Sequence, residues 1–144
     1  QAMINSPIDH EIMRRGKESM EYLHNHFLKV LYSRFPRFYN YLLETEPYLM
    51  EDLWDGELIS ITSTWTLLRY IEVLMKSWEL DEVLGILAYM EEWYQSEDPE
   101  IKDLVIGFVN DSYIVPDILH KFVELLPPGM HSHFMEYNSD LLNR

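Results

Sequence analysis

The chain has 144 residues, of which 47% are hydrophobic and 14% aromatic, enough apolar material for one domain with a real core. It contains no cysteine, which excludes disulfides, thiolate metal sites and a thiol nucleophile and favours a reducing compartment such as the cytoplasm. The 25 acidic and 11 basic residues give a net charge of −14, which disfavours binding to nucleic acid or to anionic membranes.

The first residues of the chain indicate where its folded domain begins. Gln1 and Ala2 precede Met3 and resemble a remnant of tag cleavage, so we expect a single helical domain over residues 3–144. No apolar run reaches the roughly 18 residues that suggest a membrane-spanning helix. The N-terminus also lacks the basic region and apolar stretch of an export signal. The sequence therefore predicts a cytoplasmic protein without membrane contact.

Proline and glycine are few, and they divide the first half of the chain into segments of helical length. A serine and a proline at the start predict a first helix over about residues 7–33. Phe35-Pro36 is expected to end it, because proline cannot continue the hydrogen-bond ladder of a helix. A shorter helix is predicted for residues 38–46, followed by a brief turn at residues 49–53.

The next helix is predicted to be central. Over residues 58–78 the apolar side chains form two adjacent stripes, one containing Trp65 and the other Trp78. A helix that is apolar over so wide a face is expected to be buried on most of its circumference. Residues 59–62 alternate like a strand, but they have no predicted pairing partner, so we assign them to the helix.

Three short helices are predicted after Glu79. The first should end at Ser96. Asp98 as N-cap and Pro99 as first helical residue open the second, and Gly107 within it predicts close backbone packing, because glycine in a helix interior is otherwise unfavourable. The apolar faces of these two helices are Val83, Ile86, Leu87, Met90 and Tyr94, and then Ile101, Leu104, Val105 and Phe108.

Pro116 is predicted to open the third of these helices, with Ile118, Leu119, Phe122, Val123 and Leu126 as its apolar face. Residues 127–129, Pro-Pro-Gly, are expected to end it. A further helical turn or two follows over 130–137, before a polar tail. Short helices joined by linkers of a few residues, without a strict repeat, predict an all-α fold. We expect a small irregular helical bundle or a short α-hairpin superhelix.

Motifs for catalysis are few. The five glycines are too far apart for a phosphate-binding loop, and neither a nucleophile elbow nor a His-Glu-x-x-His motif occurs. A metal-dependent helical-bundle enzyme remains an alternative, because two acid-x-x-His pairs could face inward together with Glu72. These pairs are Glu21 with His24 and Asp117 with His120. His131 and His133, with Glu136, could also hold a metal, but a solvated loop is the preferred interpretation.

The acidic residues are concentrated in the second half of the chain. Residues 79–126 contain twelve acidic and two basic side chains, whereas residues 1–38 contain four acidic and six basic ones. Large aromatic residues lie among these acids, a combination typical of protein-binding hot spots with a steering field. The predicted partner-binding residues are Glu91, Glu92, Trp93, Tyr94, Glu97, Asp98, Asp103, Asp111 and Tyr113.

Within this region, residues 84–112 (LGILAYMEEWYQSEDPEIKDLVIGFVNDS) resemble a segment of small all-helical bacterial immunity proteins from contact-dependent or polymorphic toxin systems. The matching features are a helix that ends in an acidic and aromatic run, a Ser-Glu-Asp-Pro linker, and a second helix carrying Gly107-Phe108. The chain departs from the pattern at Asn110-Asp111, where a glutamate is expected. The resemblance implies a protein without enzymatic activity that binds and occludes its own toxin, and many such toxins are basic nucleases.

We therefore expect a non-enzymatic, cytoplasmic immunity protein, without cofactor or metal, whose acidic surface neutralises a cognate toxin domain. An alternative function is that of a helical scaffold or adaptor, which would bind a peptide or a helix along an apolar groove. The two differ in the expected response to salt, since binding steered by charge weakens as the screening length shortens. The sequence predicts neither the identity of the toxin nor the oligomeric state.

Overall fold

The computed structural model describes residues 26–46 and 64–143, which contain seven α-helices and no β-strand. This confirms the predicted all-α fold. The predicted turn at 49–53 and the beginnings of the predicted first and third helices lie outside the described residues. In chain order the helices are α1 (helical over 26–34), α2 (Pro36–Thr45), α3 (Trp65–Lys76), α4 (Leu80–Tyr94), α5 (Pro99–Asn110), α6 (Leu119–Leu125) and α7 (Pro128–Tyr137). Short 3-10 helices follow α5 and α7, at Asp111–Ile114 and Ser139–Asn143.

Local sequence signals explain several helix boundaries. Phe35 separates α1 from α2, as the Phe35-Pro36 pair predicted, whereas α2 begins at Pro36, two residues before its predicted start. At the start of α5, the side chain of Asp98 accepts a hydrogen bond from the backbone N–H of Ile101 at 3.0 Å, and Pro99 follows it directly. Asp98 is therefore the N-cap that the sequence predicted.

Helix α4 is the centre of the fold. It packs against α3 and α5, its neighbours in the chain, and also against α7, which α5 contacts too. The contact between α4 and α7 closes the arrangement into a small bundle instead of an open superhelix. Thirty buried apolar side chains of the described residues form one core, whose largest fully buried members are Phe27, Phe38, Phe108, Phe122 and Phe134.

The third predicted helix was expected to bury a wide apolar face, and this was wrong for Trp65 and Trp78. Trp65 begins α3 and is 48% exposed, while Trp78 lies beyond its end and is 81% exposed. The buried side of α3 is narrower, and consists of Leu67, Leu68, Tyr70, Ile71, Leu74 and Met75. The helix ends at Lys76, two residues earlier than predicted, so Trp78 does not share its face.

Three further expectations need correction. Gly107 has no atom within 4 Å of the place a Cβ would occupy, so close backbone packing is not the reason for this glycine. The third of the short helices begins at Leu119, because residues 116–118 form turns. His131 and His133 belong to helix α7, which begins at Pro128, and not to a solvated loop.

Candidate protein-binding surface

The nine predicted partner-binding residues lie on the last turns of α4, on the linker to α5, on α5 itself and on the 3-10 helix that follows. The structure divides them into side chains that stabilise the fold and side chains that face solvent. The hydrogen bonds of the stabilising side chains limit what these side chains can offer to a partner.

Glu91 connects two helices. Its carboxylate accepts hydrogen bonds from the backbone N–H groups of Gly129 at 2.7 Å and Met130 at 3.0 Å, in the first turn of α7. The N-cap residue of α7 is Pro127, which has no side chain that can cap a helix. Glu91 supplies the missing acceptor from α4, and its negative charge also interacts favourably with the N-terminal end of the helix dipole.

Asp98 and Asp111 also have structural partners. Asp98 caps α5, as described above, and its own backbone N–H donates to the hydroxyl of Ser96 at 3.1 Å. The carboxylate of Asp111, which follows α5, accepts a hydrogen bond from the hydroxyl of Thr64 at 3.1 Å. This bond joins the end of α5 to the residue that precedes α3. Both aspartates therefore hold helix ends in place.

Within the described residues, Tyr94 and Tyr113 do not share the contacts of the Trp93 ring. Tyr94 points toward α7, where its ring lies 6.3 Å from the ring of His133, and the ammonium group of Lys102 lies 5.0 Å from its centroid. Tyr113 is 49% exposed on the 3-10 helix after α5. The sequence grouped these two tyrosines with Trp93, but Trp93 contacts Phe27 and Tyr89 whereas Tyr94 contacts α7.

The remaining acids form an exposed acidic face, which we define as Glu92, Glu97, Glu100 and Asp103. Glu100 was not among the predicted residues, although it lies three residues before Asp103 on the same helix face. Within residues 26–46 and 64–143, the side chains of Glu97, Glu100 and Asp103 form no ion pair. Glu92 lies 3.8 Å from Arg34 in an exposed pair. Such a pair contributes little to stability, so most of this charge is not used by the fold.

A cleft of about 290 Å³ lies between α1 and α4, and Glu92 of the acidic face lines it. We call it the Trp93 cleft; it is lined by His26, Val30 and Arg34 on one side and by Tyr89, Glu92, Trp93 and Ser96 on the other. Of the predicted residues, the structure therefore brings together Glu92 and Trp93. The α1 residues could not be found from sequence, since nothing local indicates that α1 packs beside α4. Tyr89 could have been predicted from the sequence, because it precedes Trp93 by one helical turn and so lies on the same helix face.

The aromatic side chains of this cleft are fixed by their contacts. The Trp93 ring packs edge-to-face against the rings of Phe27 and Tyr89, with 5.7 and 6.5 Å between centroids. The Tyr89 hydroxyl donates to the backbone carbonyl of Phe27 at 2.7 Å. Burial raises the pKa of Tyr89 to about 12, so it stays a neutral donor. The guanidinium of Arg34 lies 5.2 Å above the Tyr89 ring, which gives the apolar cleft a charged rim.

The residues of the metal alternative do not come together in the described part of the chain. Glu21 and His24 lie outside it, and Asp117 pairs with Lys76 at 3.4 Å. No group of three or more potential metal ligands occurs among the residues that the structure describes.

Glu72 lies beside two cations of its own helix, Arg69 at 3.3 Å and Lys76 at 3.8 Å. His133 is within hydrogen-bond distance of the Asn110 side chain, at 3.1 Å. Burial lowers the pKa of His133 below its usual value, and the nearby Glu136 carboxylate partly opposes this effect. Glu72 therefore has contacts within α3, whereas His133 connects α7 to the end of α5.

Comparisons with known proteins give one result. A family model described as "Domain of unknown function (DUF7674)" matches residues 28–143, which is most of the chain. No curated protein and no solved structure matches it. Across the described residues, no helix is long and apolar enough to cross a membrane.

Proposed function

We propose that this chain, which belongs to the DUF7674 family, is a non-enzymatic binding protein that engages a basic partner protein through the Trp93 cleft and the acidic face. The observation that carries the proposal is that Glu92 lines an aromatic cleft, while the exposed carboxylates of the acidic face have almost no compensating cations among the described residues.

The charge distribution supports a basic partner. Residues 91–111 contain seven acids and one base, Lys102, whose ammonium group lies over the Tyr94 ring. Like charges held close together repel one another, so an acidic side chain favours folding only where it caps a helix end or accepts a hydrogen bond. Glu91, Asp98 and Asp111 are used in this way, whereas the acidic face is free to attract a positively charged surface.

The cleft supplies the apolar part of such an interface. Trp93 is half-buried and fixed by Tyr89 and Phe27, so a partner would lose little entropy in ordering it. Tryptophan, tyrosine and arginine are the residues most enriched at the centres of protein interfaces, and all three line this cleft. The surrounding carboxylates would then form the polar rim and accelerate association.

In its specific form the proposal is that the partner is a cognate bacterial toxin domain and that the chain is its immunity protein. The resemblance to immunity proteins covers residues 84–112, and the Trp93 cleft and the acidic face draw most of their residues from this segment. An immunity protein that occludes its toxin needs complementary shape and charge but no reactive group of its own. A basic nuclease domain would present the charge that this surface requires.

The test is co-purification of the chain with the product of the adjacent gene, followed by charge reversal. We expect the triple variant Glu97→Lys, Glu100→Lys and Asp103→Lys to lose binding and protection, since each substitution replaces attraction to a basic partner by repulsion. A matched control is the triple variant Glu44→Lys, Glu136→Lys and Asp140→Lys, which changes the net charge equally at other helices. Equal binding by both variants, with both folded, would contradict the proposed surface.

Salt dependence separates this proposal from the scaffold alternative. A contact steered by the acidic face should weaken as ionic strength rises, mainly through slower association. Binding that is insensitive to salt, but is lost when Val30 in the cleft is replaced by aspartate, would favour an adaptor that holds an apolar peptide.

A further inference from the structure

Trp78 is the most exposed large apolar side chain of the described residues, with 81% of its surface accessible. It lies between α3 and α4 and has a backbone φ of 60°, in the left-handed region. Its backbone N–H donates to the carbonyl of Met75 at 3.1 Å, and that of Glu79 donates to Leu74 at 2.9 Å. These are the two hydrogen bonds of the Schellman motif, in which the left-handed position is usually a glycine.

A tryptophan at this position is unfavourable for the fold on two grounds. Its Cβ is strained by the left-handed backbone, a conformation that bulky side chains rarely adopt. The indole ring also gains almost nothing from burial, because it lies in solvent. Strained residues of this kind occur preferentially at binding sites, where the surrounding structure holds them.

The surroundings of Trp78 are charged and well ordered. It lines a shallow cleft together with Arg37, Glu79, Leu80, Asp81 and Glu82. Arg37 makes a bidentate contact with Glu79, at 2.9 and 3.2 Å, and lies 3.6 Å from Glu82. The hydrogen bonds from Arg37 lower the pKa of Glu79, so its carboxylate stays ionised. Three carboxylates and one guanidinium therefore leave the cleft with an excess of two negative charges.

Of the three carboxylates in this cleft, that of Asp81 remains available to a ligand. It is exposed in the first turn of α4, and it forms no ion pair in the part of the chain that the structure describes. Glu82, by contrast, accepts a hydrogen bond from the hydroxyl of Tyr70 at 2.6 Å. An exposed indole ring beside a free carboxylate offers both parts of a site for a planar cation.

We infer that Trp78 and Asp81 bind an arginine side chain of a protein partner, with the guanidinium stacked on the indole and paired with the carboxylate. Arginine stacks on tryptophan and forms bidentate bonds with carboxylates, whereas the ammonium of lysine is a compact, strongly hydrated charge. A second copy of the chain is a poor occupant, because each copy carries a net charge of −14. The charge excess of the cleft fits a basic segment of another protein.

This site is separate from the Trp93 cleft. Helix α4 has 15 residues and is therefore about 22 Å long, with Trp78 just before its first residue and Trp93 in its last turn. The inference consequently does not depend on the proposed function, and the two can be tested independently.

The experiment is an NMR titration of the full chain, labelled with nitrogen-15, with an acetylated and amidated hexa-arginine peptide. We expect saturable shifts of the Trp78 indole N–H and of the Asp81 amide. Trp78→Asn removes the ring and keeps the fold, because asparagine tolerates the left-handed region. From the usual strength of a cation–π contact, the affinity read at the Asp81 amide should fall about 2- to 30-fold in this variant.

Controls define what would overturn the inference. Tyr137→Ala removes an exposed aromatic residue from α7 without changing the net charge and should leave the Asp81 isotherm unchanged. Hexa-lysine should bind more weakly than hexa-arginine at this site. An unchanged affinity in folded Trp78→Asn, or equal affinity for the two peptides, would overturn it.

Discussion

The carboxylate of Glu91 in α4 accepts the backbone N–H of Gly129 in α7 at 2.7 Å, and with its other oxygen it accepts that of Met130 at 3.0 Å. One side chain thus satisfies two of the four backbone donors that the start of any helix leaves open. The side-chain amide of Gln95 donates to the same carboxylate at 3.2 Å. Glu91 was predicted as a partner-binding residue, and these contacts give it a role in joining α4 to α7.

The first prediction concerns this cap. We expect Glu91→Ala to lower the free energy of unfolding by about 1 to 2 kcal/mol, because two backbone N–H groups lose their acceptor. Glu92→Ala is the matched control, since the neighbouring carboxylate is exposed and its pair with Arg34 is weak; we expect a change within about 0.5 kcal/mol. Urea denaturation with unchanged m-values measures both. Equal losses in the two variants would argue against the cap.

The second prediction compares two glycines. A Cβ on Gly129 would lie 2.7 Å from ring and amide atoms of Tyr94 and Gln95, whereas a Cβ on Gly107 would meet no atom within 4 Å. We expect Gly129→Ala to destabilise the protein by about 1 to 3 kcal/mol through overpacking between α4 and α7. Gly107→Ala should stabilise it by roughly 0.5 to 1 kcal/mol, because alanine is the better helix former. Thermal and urea unfolding of the two variants should therefore shift in opposite directions.

Local features of the fold were predictable from the sequence. The Asp98-Pro99 pair marks the start of α5, and Phe35-Pro36 marks the break between α1 and α2, because caps and prolines act within a few residues of the chain. The helical period also predicted most buried positions of α4, but it missed Tyr89 and included Tyr94, which is only partly buried. The same period failed at Trp78, because the apolar pattern of the sequence continues past Lys76, the residue at which α3 ends.

The site was only partly predictable, because its geometry depends on packing between distant segments. Nothing in residues 127–129 indicates that α7 takes its cap from Glu91, although the absence of a local capping side chain was a signal that an acceptor must come from elsewhere. The Trp93 cleft needs Val30 and Arg34 of α1, about sixty residues earlier in the chain. Charge density pointed to residues 91–111 as a candidate region, but it did not separate the acids that form structural hydrogen bonds from the exposed ones.

The third prediction is a pH dependence of stability. Burial lowers the pKa of His133 in the folded protein below its value of about 6.5 in the unfolded chain. At a pH between these two pKa values the unfolded chain binds more protons than the folded protein. The contribution of neutral His133 to the free energy of unfolding is therefore fully present above about pH 6.5, and it is lost as the pH falls through this window. His133→Gln and His133→Phe should both flatten the fall in unfolding free energy between pH 7 and pH 5. A slope identical to that of the wild type would contradict this role.

The fourth prediction separates stability from binding at two neighbouring acids. Asp98→Ala should lower the free energy of unfolding by about 1 kcal/mol, because the N–H of Ile101 loses its acceptor. Asp98→Ser should restore most of that loss, since a serine hydroxyl can cap the helix without a charge. Glu97→Ala should leave stability within about 0.5 kcal/mol of the wild type but slow association with a basic partner at low salt, because Glu97 is exposed and unpaired among the described residues. If Glu97→Ala were to unfold the protein more readily than Asp98→Ala, the division between structural and binding acids would be wrong.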